Sequence, residues 1–308
     1  MVRKNCGSKK KSHGVLKTII FLGICIGISV LLSHTSFAIR IREALRTHKP
    51  APTSTIQPVP EPKVSTASKS VSYTIRCPQF DNLTYGIPGT ADTIIEREGY
   101  ALGYIEKHEQ PAWVVYKLTH TEVLTKAVKR TNRFIEDPEI PTGSATAADY
   151  RRSGYDRGHL APAADMAFSL QTMKDSFYYS NMSPQRPQFN RGIWKDLEEQ
   201  VRQFAVKEGE IYVVTGPVLS DEKNITIGPN KVTVPSHFYK VVFDLTPPQK
   251  MIGFILPNEG SKADLRTFAV TVDKVEELTG LDFFSMVTQP KQEQLERTIT
   301  VENWHWIK

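Results

Sequence analysis

A cation and a titratable imidazole stand two residues apart in the tetrapeptide Asp156-Arg157-Gly158-His159, within the stretch SGYDRGHLAPAADM. If this stretch is a strand that runs into a loop, alternate side chains share a face, so Arg157 and His159 stand side by side while Asp156 points away. An arginine fork binds phosphate oxygens, and a neutral histidine can take a proton from water. The tetrapeptide therefore suits phosphate chemistry. An exposed charged turn ahead of Pro162 is the alternative, and the motif alone does not decide between them.

A second polar pair follows in the run YYSNMSPQRPQFNRGIWKDLEEQVRQF, from Tyr178 to Phe204. Asn190 and Glu198 lie along the edge of an apolar stripe with helical spacing, where an amide and a carboxylate need a partner. Mg²⁺ prefers oxygen ligands and retains most of its waters, so Asn190 could bind it directly and Glu198 through a bound water. A helix that straddles a solvated edge is the alternative. The apolar stripe consists of Trp194, Leu197, Val201 and Phe204.

Taken together and in this order, the two segments resemble the signature of the DNA/RNA non-specific endonucleases. This is the ββα-metal (His-Me finger) family, which includes the mitochondrial endonuclease G and the secreted Serratia-type nucleases. The order and spacing of DRGH, SNxxPQ and N-x3-W-x2-LE are far more specific than any single motif. The resemblance extends from about Tyr100 to about Met286, through PAWVVYKL, NRFIEDP, VVTGPV, VPSHFYKVVFD, FILPNE and VEELTGLDFF. It implies a ββα-metal nuclease domain.

The resemblance also implies roles for individual residues. His159 corresponds to the general base that activates water, and Arg157 to the arginine that contacts the scissile phosphate. Asn190 corresponds to the single protein ligand of Mg²⁺, for which Mn²⁺ is the alternative, and Glu198 to the acid that supports the hydrated metal. The implied substrate-binding residues are Asn181, which could instead orient the imidazole, Arg202 and, in a looser register, Arg133.

The implied reaction is hydrolysis of the phosphodiester bonds of DNA and RNA, which leaves 5′-phosphate and 3′-hydroxyl ends. Contacts to phosphate and sugar carry little base information, so weak sequence preference is expected. The resemblance further implies that the protein can form a homodimer. A catalytically inactive relative that binds nucleic acid or a protein partner is the alternative function.

Net charge alone does not indicate a polyanionic partner. The 308-residue chain has a formal charge of +6, but residues 1–49 contain ten Lys or Arg and one acid, Glu43, and so carry +9. Residues 50–308 therefore carry −3, and any nucleic-acid site must be a local patch. The basic runs KAVKRTNR and RRSGYDR supply cations for such a patch.

Residues 1–38 have the features of a signal peptide or a signal-anchor: the basic KKKSHGVLK, the apolar run Thr18–Leu32 and the small residues of SFA. The run is short for a membrane span, which needs about 20 residues, but an uncut segment would attach the protein to a membrane. An extracytoplasmic location follows, whether periplasmic, secreted or membrane-anchored. The lack of acids before Glu43 keeps a mitochondrial leader as the alternative. Residues 39–70 are predicted to be a Pro/Ser/Thr-rich linker, and residues 71–308 the nuclease domain.

The predicted elements favour an α+β domain around a mostly antiparallel sheet, because long strands occur without regularly interleaved helices. The predicted helices are Ile193 to about Lys207 and Val272–Thr279, the latter closed by Gly280. Cys77 is the one cysteine outside the leader, so the domain can have neither an internal disulfide nor a cysteine metal cage. The strand-like runs are Gly99–Lys107, Ala112–Leu118, Glu210–Leu219, His237–Leu245 and Lys250–Pro257.

Overall fold

The computed structural model describes residues 80–220 and 225–307. The strands are β1 (Thr93–Glu96), β2 (Ala101–Ile105), β3 (Gln110–Thr119), β4 (Asp156–His159), β5 (Met182–Gln185), β6 (Glu210–Pro217), β7 (Thr226–Ile227), β8 (Val232–Thr233), β9 (His237–Asp244), β10 (Lys250–Pro257) and β11 (Ala269–Val270). The helices are α1 (His120–Leu124), α2 (Ala147–Tyr150), α3 (Leu170–Asp175), α4 (Pro187–Asn190), α5 (Ile193–Glu208), α6 (Val272–Thr279) and α7 (Lys291–Arg297).

A seven-stranded sheet forms the centre of the domain, in the order β1-β2-β3-β6-β9-β10-β11. Every neighbouring pair in it is antiparallel. The central strands β6 and β9 are buried along almost their whole length, because apolar residues cover both faces of the sheet. This explains why their sequences are nearly continuous apolar runs rather than alternating ones. The predicted α+β architecture around a mostly antiparallel sheet is confirmed.

The long predicted elements are present in the structure. Strand β10 has the predicted bounds, and the other four long strands differ from prediction by a few residues at their ends. Helix α6 also has its predicted bounds and ends at Gly280, whose φ of 70° is left-handed and therefore favours glycine. The short strands β1, β7, β8 and β11 were not predicted, since two to four residues carry too little periodicity.

Helix α5 is fixed on one face of the sheet by the predicted apolar stripe. Trp194, Leu197, Val201 and Phe204 are all fully buried, and truncating any one of them to alanine should cost about 2–5 kcal/mol. The C-terminal segment packs onto the same helix, with the Trp304 ring 4.6 Å from the Phe204 ring. These contacts hold α5 against the sheet and thereby position the polar residues at its edge.

The predictions for the leader, the linker and Cys77 lie outside the described residues. Within residues 80–220 and 225–307, no helix is both long and apolar enough to cross a membrane. The apolar run at residues 18–32 is not part of those ranges.

Candidate active site

Strand β4, which carries the DRGH motif, pairs with β5 in antiparallel register outside the large sheet. Helices α4 and α5 follow β5 directly, so strand, strand and helix form one compact unit that brings Asn190 near His159. Gly158 is required by this packing, because a Cβ atom there would lie 2.2 Å from the side chain of Gln185. The predicted strand at DRGH is confirmed.

The His159 ring is held by two aromatic rings and one hydrogen bond. Its centroid lies 4.9 Å from that of Phe177 and 5.7 Å from that of Phe134, both in edge-to-face geometry. The ring also hydrogen-bonds the Arg157 backbone, which sets its tautomer. Its Nε2 atom is buried and has no hydrogen-bond partner among the described residues. That nitrogen can therefore accept a proton.

His159 is a neutral imidazole at physiological pH. Burial, together with the positive charges of Arg130 and Arg157, lowers the pKa of His159 from 6.5 to about 3. A bound phosphate would bring negative charge close to both arginines and offset their effect. The pKa of His159 should therefore rise when an anionic substrate occupies the site.

Arg157 shares the face of β4 that carries His159, as strand alternation predicts. The exposed Arg157 guanidinium lies 3.9 Å from the centroid of the Phe134 ring, the same ring that contacts His159. A cation–π contact orients the guanidinium without neutralising its charge. Its N–H groups can therefore still bind an anion.

Asp156, the neighbour of Arg157 on β4, fixes the amide of Asn190. The Asn190 Nδ2 atom donates to Asp156 Oδ2 at 2.9 Å, and Arg191 donates to the same carboxylate through Nε at 2.8 Å and Nη2 at 2.6 Å. Partial burial raises the pKa of Asp156, but the hydrogen bonds from Arg191 and Asn190 outweigh it and leave this pKa below its ordinary value. Since the amide nitrogen is engaged, Oδ1 is the Asn190 atom left to bind a cation.

Glu198 belongs to a group of charges at the site, called here the buried charge cluster, in which Asp165 and Lys240 are fully buried and Glu198 and Arg202 are half-buried. Arg202 Nη1 donates to Asp165 Oδ1 at 2.9 Å, and the Tyr116 hydroxyl donates to Asp165 Oδ2 at 3.0 Å. Burial raises the pKa of Glu198 to about 7, while the positive charges of Lys240 and Arg202 act against that rise. The protonation of Glu198 is thus sensitive to its cationic neighbours.

Lys240 is the unusual member of the buried charge cluster. It lies on β9 on the same face as Phe238 and Val242, is fully buried, and has its Nζ 4.8 Å from the Trp194 ring centroid. This Nζ has no hydrogen-bond partner among the described residues. Burial lowers the pKa of Lys240 to about 8, and the negative charge of Glu198 partly opposes this.

A cavity of about 430 Å³, the central cavity, brings these groups to one place. Its lining includes five predicted site residues, Arg157, His159, Asn190, Glu198 and Arg202, as well as Arg130, Arg191 and Lys195. A general-base candidate, several guanidinium groups and two side chains whose oxygens can bind a cation therefore face one space.

Asn181 does not face the central cavity. It is fully buried, its Nδ2 donates to the backbone oxygens of Ala161 and Ser176 at 2.9 Å each, and its Oδ1 accepts from the Ala161 N–H at 2.9 Å. These bonds hold the loop that follows His159. The placement supports a role in positioning the histidine rather than the predicted contact with substrate.

Arg133 does not line the central cavity either, although it is exposed. Arg130 does, and its charge acts on both His159 and Glu198. Both arginines belong to the basic run KAVKRTNR, and the sequence offered no periodicity in that loop by which to choose between them.

Lys240, Asp165 and Phe134 also contribute to the site but were not singled out from the sequence. One signal for Lys240 was available: a lone lysine interrupts the apolar strand HFYKVVFD, and a charge there is buried when both faces of the strand are covered. Asp165 and Phe134 lie in loops, where only the folded chain brings them to the site.

The donor atoms at the central cavity fit a mostly hydrated divalent ion. Asn190 offers an amide oxygen and Glu198 a carboxylate, the hard ligands that Mg²⁺ prefers while it keeps several waters. Within the described ranges, three carboxylates come close enough to share an ion at Asp273, Glu276 and Glu296, which lie on α6 and α7 and not at the cavity. The central cavity therefore suits an ion bound mainly by water rather than a cage of protein ligands.

Comparisons with known proteins agree with this geometry. Residues 79–289 match the family model of the DNA/RNA non-specific endonucleases. Nuclease C1 of Cunninghamella echinulata var. echinulata is 40% identical over 220 residues, which cover 66% of this chain and 86% of that protein. The mitochondrial nuclease of Saccharomyces cerevisiae is 31% identical over 307 residues, 92% of this chain and 89% of that protein. A chain in the crystal structure of the EndoG/EndoGI complex matches with a TM-score of 0.64 and 35% identity, over 68% of this chain and 92% of that chain.

Proposed function

The chain belongs to the DNA/RNA non-specific endonuclease family, and from this premise we propose that it hydrolyses phosphodiester bonds of DNA and RNA with His159 as general base. It is an endonuclease with the ββα-metal fold. The observation that carries the proposal is the buried, partnerless Nε2 of a neutral His159 in the same cavity as Arg157, Asn190 and Glu198. The products are a 5′-phosphate and a 3′-hydroxyl end.

His159 takes a proton from water as the water oxygen forms a bond to phosphorus, and the bond from phosphorus to the 3′ oxygen breaks. The leaving oxygen acquires a proton from solvent. Arg157 donates to the phosphoryl oxygens, where negative charge increases in the transition state. Because Phe134 holds the guanidinium in place, little reorganisation is needed at that moment.

The family depends on divalent metal ions in general, and we propose that Asn190 would hold the ion here through Oδ1 and Glu198 through a bound water. Mg²⁺, or Mn²⁺ in its place, would supply positive charge next to the phosphate and the departing oxygen. Asp156 contributes indirectly, since its hydrogen bond engages the amide nitrogen of Asn190 and leaves Oδ1 to act as the ligand.

Weak sequence preference follows from the lining of the central cavity. The groups available to substrate there are mainly guanidinium and ammonium groups, which contact phosphate and carry no base information. We therefore propose that both DNA and RNA are substrates.

For location, the names of several relatives favour the mitochondrial alternative: the nucleases of Saccharomyces cerevisiae and Schizosaccharomyces pombe and human endonuclease G are named mitochondrial. The extracytoplasmic location expected from the leader has no support from these relatives. We therefore propose that residues 1–38 act as a mitochondrial-type leader. Sequencing the N-terminus of the protein purified from its own cells tests this, since a signal-peptidase cut after Ala38 would restore the secretory interpretation.

Homodimer formation and membrane attachment stay predictions.

Digestion of plasmid DNA and of RNA by the purified protein, with Mg²⁺ and with EDTA, tests the nuclease proposal. We expect metal-dependent cleavage that falls by about 100- to 10,000-fold in His159→Ala, the range that general-base catalysis supplies. The matched control is His120→Ala, because His120 is exposed and does not line the cavity. Circular dichroism confirms folding of both variants.

Two results would count against the proposal. Cleavage that survives His159→Ala would show that another group is the base. Absence of cleavage by the folded wild-type protein across several divalent metals would favour the inactive, nucleic-acid-binding alternative.

A further inference from the structure

We propose that Asp165 is a positioning residue, which holds Arg202 in the orientation that presents the free N–H groups of its guanidinium to the central cavity. Arg202 lines that cavity, whereas Asp165 does not. The inference rests on the proposed function, because it assumes that the substrate phosphate binds in the cavity and that Arg202 contacts it. It adds a residue that acts on the reaction without touching the substrate.

The Asp165 carboxylate accepts one hydrogen bond on each of its oxygens. Arg202 Nη1 donates to Oδ1 at 2.9 Å, and the Tyr116 hydroxyl donates to Oδ2 at 3.0 Å. The Asp165 side chain is 1% exposed and Tyr116 is fully buried, so water does not compete for these bonds. Burial raises the pKa of Tyr116 well above its ordinary value, so the hydroxyl keeps its proton and can donate. The two bonds together fix the orientation of the carboxylate.

These bonds join three separate elements of the fold. Asp165 lies in the loop that follows β4, Arg202 lies on α5 and Tyr116 lies on β3. A backbone turn fixes the loop at this point, because the Asp165 N–H donates to the Pro162 oxygen at 3.0 Å. Asp165 therefore sets the position of Arg202 relative to the loop that begins after His159.

The Arg202 guanidinium keeps donors for an anion. A guanidinium has five N–H groups, and the bond to Asp165 is the one hydrogen bond that they make to a described residue. The side chain is 18% exposed where it lines the central cavity. Burial works against the charge of Arg202, but the Asp165 carboxylate outweighs this effect and leaves the pKa of Arg202 above its ordinary value. Arg202 is therefore a cation with N–H groups to spare.

Arg157 is held in a different way, and the difference shows what a carboxylate adds. The Arg157 guanidinium is exposed and lies over the Phe134 ring. A ring contact fixes the plane of a guanidinium, whereas a hydrogen bond to a fixed oxygen also determines which N–H groups point outward. Donors whose direction is set in advance need little reorganisation when the substrate binds. Asp165 supplies this preorganisation to Arg202.

A double-mutant cycle on the full chain tests the inference, because residues that act through one another have non-additive effects. The four proteins are the wild type, Asp165→Asn, Arg202→Gln and the double variant, and the readout is kcat/KM for cleavage of a fluorescently labelled DNA duplex with Mg²⁺. Asp165→Asn should lower kcat/KM about tenfold, as the loss of one charge-assisted contact would. In the Arg202→Gln background the same substitution should lower it less than about twofold.

Two results would overturn the inference. Equal losses from Asp165→Asn in both backgrounds would show that Asp165 acts on the fold or through another group. A gain in kcat/KM would show that Asp165 mainly weakens the charge of Arg202.

The same cycle is measured for binding of the labelled duplex in EDTA, by fluorescence anisotropy, because binding requires no turnover. A protein that shows the expected coupling in binding but never cleaves would refute the proposed function alone. A protein that cleaves but shows additive losses would refute this inference alone.

Tyr116→Phe keeps the inference testable if Asp165→Asn fails to fold. It retains the buried ring and removes only the hydroxyl that orients Asp165, so it should lower kcat/KM a few-fold in the wild-type background and have no effect in Arg202→Gln. The matched control is Tyr104→Phe on β2, a buried ring whose hydroxyl bonds Glu109 at 3.1 Å away from the central cavity. It should leave kcat/KM unchanged.

A second control separates positioning from general loss of stability. Asp244→Asn removes another buried carboxylate that is paired with a cation, Lys250, and does not line the central cavity. It should lower the thermal unfolding midpoint and leave kcat/KM unchanged. A loss of kcat/KM like that of Asp165→Asn would show that destabilisation alone explains the effect at Asp165.

Discussion

Two groups of charged side chains in this molecule both combine acids with cations at positions that are largely buried, but they are connected differently. Around Arg97, the guanidinium donates to both oxygens of Asp137 at 2.7 and 2.9 Å, pairs with Glu139 at 2.9 Å and lies 4.2 Å from the Tyr178 ring centroid. The buried charge cluster beneath the central cavity also mixes acids and cations. There, however, the Nζ of Lys240, its one side-chain nitrogen, has no hydrogen-bond partner among the described residues, whereas the Arg97 guanidinium lacks one at Nε and is paired through its other two nitrogens.

The Arg97 group serves to stabilise the fold, whereas the buried charge cluster serves the chemistry of the site. The Arg97 group joins two segments of the chain. One is the loop that contains Phe134 and Asp137, and the other is the segment around Tyr178 and Ser180. The Ser180 hydroxyl also donates to Asp137. The Arg97 group thereby keeps the Phe134 ring against His159. The buried charge cluster instead keeps ionisable groups near a cavity, and their charges are only partly compensated by neighbours. A site that binds both a cation and an anionic substrate needs groups whose protonation can change in this way.

The largest expected effect on stability is at Arg97. Arg97→Met should reduce the free energy of unfolding by about 3–5 kcal/mol, because it leaves the Asp137 carboxylate buried without its cation. Urea unfolding monitored by circular dichroism measures this. Lys274→Met, which breaks the exposed pair with Glu277, should cost less than about 1 kcal/mol. Similar losses of unfolding free energy in the two variants would show that the Arg97 group contributes no more to stability than an exposed ion pair does.

A smaller effect should appear in the pH dependence of stability. In the unfolded chain His159 binds a proton below its ordinary pKa of 6.5, whereas in the folded protein it stays neutral down to about 3. His159 therefore contributes a loss of stability of about 2 kcal/mol as pH falls from 7 to 5, while the raised pKa values of Glu198 and Glu296 act in the opposite direction. Urea unfolding in EDTA at both pH values measures the His159 contribution as a difference: the change from pH 7 to pH 5 should be about 2 kcal/mol less favourable to folding in the wild type than in His159→Gln. Equal changes in the two proteins would mean that His159 binds its proton as readily in the folded state as in the unfolded chain.

At Lys240 we expect catalysis to suffer more than folding. Lys240→Met should lower kcat/KM about tenfold, because the Glu198 carboxylate loses a nearby positive charge at a low-dielectric position. Its thermal unfolding midpoint should change little, because the buried Nζ has no hydrogen bond to lose and methionine can keep the packing against the Trp194 ring. The contrasting variant is Lys250→Met on the neighbouring strand, where Nζ bonds Asp244 at 2.6 Å and Glu208 at 3.1 Å. That variant should lose stability and keep its activity; the reverse pattern would contradict the comparison.

The smallest effects concern the cations at the rim. Cleavage should weaken as salt rises, because phosphate contacts release counterions. Arg130→Gln should reduce the slope of log activity against log salt by about 1, whereas Arg133→Gln should leave it unchanged. Rates between 50 and about 200 mM salt measure both. A salt-independent wild type would show that these arginines do not bind substrate.

Sequence reasoning reached most of the site because its residues lie in two short segments with regular geometry. Strand alternation placed Arg157 and His159 on one face, and helical spacing placed Glu198 at the edge of the stripe led by Trp194. It did not reach the burial of Asn181, whose partners lie in other loops. Nor could it prefer Arg130 to Arg133 in a loop without periodicity.

By itself, the sequence determined the long strands, the amphipathic helix α5, the end of α6 at Gly280 and the order of the motifs that identify the family. The strands and helices depend on periodicity or on local backbone preference, which act over a few neighbouring residues, whereas the order of the motifs identifies the family by resemblance. Only the tertiary structure decided that Lys240 lies close enough to Glu198 to act on its charge, and that Phe134 contacts both Arg157 and His159. Those contacts join residues far apart in the chain, and their energies arise from burial and charge that exist only once the chain has folded.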